Sequence, residues 1–159
     1  MEVISEKLVR KAWQEVGGLN PDQANTEMLK LSENQPDLLA FMVELTEELD
    51  PEARELGIYL FFVVYRMFQD SRKKIKKIPS KEIIKCYEDN ESLLEGIEGA
   101  HERFLERAAR VQIFRQPNVM KYVVDAIMDE EDSVALTEYD KGLLFLLLKT
   151  VVEVLDKVT

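Results

Sequence analysis

The 159-residue chain has one cysteine, Cys86, and one histidine, His101. A lone thiol forbids an internal disulfide and suits the reducing conditions of a cytoplasm. With no second cysteine or histidine near it, Cys86 reads as a small apolar filler on a helix. A lone imidazole gives nucleophilic catalysis little to work with, and neither a Gly-x-Ser-x-Gly elbow nor a glycine-rich phosphate loop is present. Only six glycines and five prolines occur, with no low-complexity run, so collagen-like, linker-rich and disordered classes are excluded. Strand signals are missing too, since no Asn-Gly or Asp-Gly turn separates two alternating runs. The most apolar stretches, LGIYLFFVVY at 56–65 and GLLFLLL at 142–148, stop at Arg66 and Lys149. A membrane span needs about 20 apolar residues, so both read as helices of a protein core. The opening MEVISEKLVRK has no continuous apolar stretch of the kind a secretory signal needs, and a cytoplasmic location is expected.

What remains is abundant charge laid over a helical apolar pattern: 46% hydrophobic, 33% charged, net charge −10. Residues 1–159 suffice for one domain that buries about two thirds of its unfolded surface without a metal or disulfide. The prolines punctuate it. Asn20-Pro21, Gln35-Pro36, Asp50-Pro51, Pro79-Ser80 and Gln116-Pro117 all mark places where a helix can begin, because proline costs least in the first turn. Thr137 with Asp140 three residues on offers a further cap. The pattern predicts seven helices, over 2–16, 21–33, 36–49, 51–76, 80–113, 117–129 and 137–157. Their short connections favour an all-α, single-domain helical bundle. Leu60, Val63, Val64, Met67, Leu144, Leu147 and Val151 should lie near its centre. Within 80–113, Ile83, Tyr87, Asn90, Leu94, Ile97, His101, Phe104, Ala108 and Val111 alternate steps of four and three, the spacing of a helix seam.

One phrase occurs twice. QPDLLAFMV at 35–43 returns as QPNVMKYVV at 116–124, a displacement of 81 residues. At a displacement of 85, Gly57 then falls on Gly142 and IYLFFV on LLFLLL. Each copy is an amphipathic helix, an acidic connection and an apolar helix with a glycine, so 35–68 and 116–155 are a possible internal repeat. A true duplication predicts two pseudo-symmetric hairpins with the apolar helices central and Gly57 near Gly142. Gln-Pro by itself reads as helix-start punctuation. Two copies are too few for a solenoid, so a closed bundle is expected.

Three functional readings arise. Glu98 and His101 stand as Glu-x-x-His, the spacing that aims a carboxylate and an imidazole at one metal pair in di-metal bundles. The second such pair is missing from the chain, so only a mononuclear or dimer-bridging transition-metal site would fit. Arg72, Lys73, Lys74, Lys76 and Lys77 form a basic run that could hold phosphates. The acidic total opposes a polyanion, and no recognition helix or stacking platform accompanies the run, so nucleic acid is disfavoured. The run could instead face an acidic segment such as 129–132. The favoured expectation is a helical protein without catalytic apparatus or cofactor that acts by binding protein, including a second copy of itself.

Overall fold

The computed structural model describes residues 2–72, 74–95, 115–129 and 136–157. Seven helices lie among the described residues, and no strand. They are α1 (Glu6–Gly17), α2 (Pro21–Asn34), α3 (Pro36–Leu45), α4 (Pro51–Ser71), α5 (Ser80–Glu95), α6 (Pro117–Met128) and α7 (Glu138–Lys157). Proline occupies the first turn of α2, α3, α4 and α6. The remaining proline, Pro79, immediately precedes α5. Asn20 and Gln23 form a reciprocal capping box at α2. Thr137 and Asp140 do the same for α7, each side chain accepting the other's backbone N–H at 3.1–3.2 Å. Aspartate therefore serves here in the place glutamate usually takes.

Three predicted boundaries shift by more than one residue. α3 ends at Leu45 rather than at 49, because the buried Thr46 hydroxyl donates back to the Met42 carbonyl at 2.6 Å and Arg54 takes the Val43 carbonyl at 3.2 Å. α1 starts at Glu6 rather than at 2, capped by Ser5, whose hydroxyl accepts the Leu8 N–H. α4 stops at Ser71 rather than at 76, and Arg72 is extended. The residues released from these two helices are pinned elsewhere, as described below. Of the helix expected over 80–113, residues 96–113 lie outside the described residues.

α4 and α7 cross at the centre. α4 packs on α1, α3, α6 and α7, and α7 on α3, α4, α5 and α6. Leu60, Val63, Val64, Met67, Leu144, Leu147 and Val151 are all buried in the core, beside Phe61, Phe68 and Phe145. Burial of each phenylalanine contributes roughly 2–3 kcal/mol before entropy is counted. At Gly57, α4 lies tight against α7: a Cβ there would lie 2.6 Å from Leu144 Cδ2. Gly142, the glycine that sequence matching pairs with it, meets nothing within 4 Å. No helix among the described residues is long and apolar enough to cross a membrane.

Candidate functional site

Glu98, His101 and Lys73 lie outside the described residues, as do 130–132. Among the described residues no cluster of three or more His, Cys, Asp or Glu side chains could hold a metal ion. The basic run is divided in its roles. The Arg72 guanidinium is folded inward, donating to the Glu2 carbonyl at 3.1 Å and to Asp156 Oδ1 at 3.4 Å, and lying over the Phe68 ring. Its acidic partner is thus on α7. Lys74, Lys76 and Lys77 are exposed on the extended chain between α4 and α5.

Two polar clusters were not legible as such in the sequence. On the α5–α7 interface the buried Asn90 amide donates to Thr150 Oγ1 at 3.1 Å, and its oxygen accepts from Lys149 Nζ at 2.6 Å. Glu153 closes the cluster by pairing with Lys149 and accepting the Cys86 thiol at 3.3 Å. Burial and the neighbouring Glu153 carboxylate push the Cys86 thiol up to about 12. This thiol is protonated and a hydrogen-bond donor, so it carries no nucleophilic chemistry.

The second cluster surrounds Arg66 on α4, which pairs with Glu15 of α1 at 2.9 Å, Glu27 of α2 at 3.6 Å and Asp70 at 3.4 Å. For Glu15, burial pulls the carboxyl upward, yet the Arg66 hydrogen bond and charge outweigh it and hold it below its ordinary value. Asp70 is held above its ordinary value by burial, with the nearby Glu15 charge second. One guanidinium thereby ties three helices together.

One turn before Arg66 on α4, an apolar groove opens. Gly18 closes α1 by donating to the Gln14 and Glu15 carbonyls, and Leu19 follows the turn. α2 then returns, with Ala24 and Met28 one turn apart on the face it presents inward. α4 supplies Ile58, Tyr59 and Phe62 as the opposite wall. With Val16 and Gly17 these residues enclose about 390 Å³, and no charged side chain lines the space. Tyr59 is 43% exposed. Trp13, one helical turn ahead of Gly17 on α1, is 40% exposed. Beyond the apolar spacing of α4, nothing in the residue pattern signals this groove, because it depends on where α2 comes to rest. Compared with protein-family models, with curated proteins and with solved structures, the chain matches none.

Proposed function

We propose that the protein works by binding another protein chain, seating an amphipathic helix of that partner in the groove between α1, α2 and α4. The observation that carries this reading is the groove's chemistry: an open apolar trough with the exposed aromatic side chain of Tyr59 in its wall, while Trp13, one turn before the lining residue Gly17 on α1, is exposed too. Tryptophan and tyrosine offer large contact area with little conformational entropy to lose, and they dominate binding energy where they anchor an interface. A site for a small molecule would hold convergent polar groups to fix its orientation. Uncharged walls suit a helix that inserts residues at i, i+3 and i+4.

Photocrosslinking tests this directly, with a photoreactive phenylalanine analogue placed at position 59 in cells that make the protein. A discrete protein adduct that disappears on Phe62→Glu or Met28→Glu supports the reading, and a self-adduct names the partner as a second copy. Absence of any adduct, or adducts indifferent to both substitutions in a folded chain, overturns it.

A further inference from the structure

Gln35 and Gln116 sit immediately before Pro36 and Pro117 with closely similar backbones, φ −137°, ψ 63° and φ −120°, ψ 73°. Both side chains are buried, at 0% and 2% exposure, and neither caps the helix it precedes. Each amide reaches instead to a non-helical stretch that leads into another helix, Gln35 to the one before α5 and Gln116 to the one before α1. Gln35 donates to the Lys76 carbonyl at 2.8 Å and accepts the Ile78 N–H at 3.0 Å. Gln116 donates to the Glu2 carbonyl at 3.0 Å and accepts the Ile4 N–H at 2.9 Å. The residue after each proline joins in: Asp37 accepts the Ser80 N–H at 3.1 Å, and Asn118 donates to the Ile4 carbonyl at 2.9 Å. Each clamped isoleucine is buried, and a helix starts two residues later, α5 after Ile78 and α1 after Ile4.

The packing repeats the same exchange. α1 lies on α4 and on α6; α5 lies on α7 and on α3. α3 touches α4 and α7, and α6 touches α7 and α4. Exchanging α1, α3 and α4 for α5, α6 and α7 maps each of these contacts onto another and leaves the central α4–α7 crossing in place. Moving 74 residues along the chain sets Val9 on Ile83 and Val16 on Asn90, all four buried. We infer that the chain is two interlocked copies of one unit, a lead-in strap followed by three principal helices, in which the Gln-Pro-Asp/Asn motif of each copy clasps the strap of the other. Glu2 and Asp156 share the Gln116 amide, at 3.0 and 2.8 Å.

A circular permutant tests the equivalence, with Thr159 joined to Met1 either directly or through two added glycines and new ends opened between Lys73 and Lys74. If the units are equivalent, at least one version folds with the parent's helical signal and cooperative unfolding; if neither folds, the equivalence is wrong. The clasps are tested in the parent chain by amide exchange. Gln35→Ala should accelerate exchange at Ile78 at least tenfold over any change at Ile4, and Gln116→Ala should do the reverse. Equal acceleration at both amides, or none, overturns the interlock.

Discussion

Gln116 Oε1 accepts the backbone N–H of Ile4 at 2.9 Å, across 112 positions of chain. The other end of the same amide satisfies the Glu2 carbonyl and Asp156 Oδ1. Replacing it as Gln116→Glu keeps an acceptor for Ile4 but sets a carboxylate against a buried carboxylate and a carbonyl. The cost at neutral pH should be about 3 kcal/mol or more. The new carboxyl would hold its proton more tightly folded than unfolded, so the variant regains stability as pH falls through that raised value. Urea midpoints of parent and variant should converge from pH 7 towards pH 5; a constant gap would contradict the geometry.

The two matched glycines should answer oppositely to alanine. Gly57→Ala drives a Cβ to within 2.6 Å of Cδ2 at the end of the fully buried Leu144 side chain, which must shift against the surrounding core to admit it. Overpacking of this kind costs about 1–3 kcal/mol, more than helix propensity returns. Gly142→Ala meets open space inside α7 and should stabilise by about 0.5–1 kcal/mol. Thermal unfolding of the pair checks both signs.

Arg66→Met leaves Glu15, Glu27 and Asp70 facing one another without their shared cation. The groups are partly solvated, so a loss of about 1 kcal/mol at pH 7 is expected. In the parent, the stability that Glu15 contributes is present above the unfolded carboxylate value and fades as pH falls through its lowered folded value. Asp70, held above the ordinary value, opposes this, since its ionisation costs stability that acid restores. Without Arg66 both carboxyls are raised, and the loss should shrink as the pH drops into the carboxylate range.

Cys86 should be inert while the chain is folded. With the thiol at about 12 rather than its ordinary 9.0, the thiolate fraction at pH 8 falls about a thousandfold. Alkylation at pH 8 should be negligible in buffer and complete in denaturant. Rapid labelling of the native protein would mean that the α5–α7 interface opens freely.

The seven helices among the described residues, the proline starts, and the central place of Leu60, Val64, Leu144 and Val151 could all be read from spacing, because those features are local or follow from apolar periodicity. The ends of α1 and α4 could not. Residues 2–5 and 74–76 carry acceptable helix formers, and what holds these stretches is the distant amides of Gln116 and Gln35. The doubled Gln-Pro reads as helix punctuation; proline does begin both helices, while glutamine has a separate task beyond the reach of local rules. The matched glycines, which looked the stronger sign of a repeat, differ in surroundings. Arg72 reads as part of a basic run, yet its guanidinium belongs to the interior chemistry of Asp156. The groove was hidden for the same reason, since α2 meets it with partly buried residues that any surface helix could carry.

Arg72 and Gln116 hold residues 2 and 156 side by side, which fixes how the chain would respond to tension. A load applied between those two residues enters at one spot and acts on the Glu2–Gln116 and Asp156–Arg72 bonds in turn, rather than shearing the α4–α7 crossing as a whole. Pulled this way the molecule should unzip, its strap leaving before the central pair, an order that force–extension traces between positions 2 and 156 would record. Pulled instead between residues 35 and 116, both clasps and the packed helices between them carry the force together.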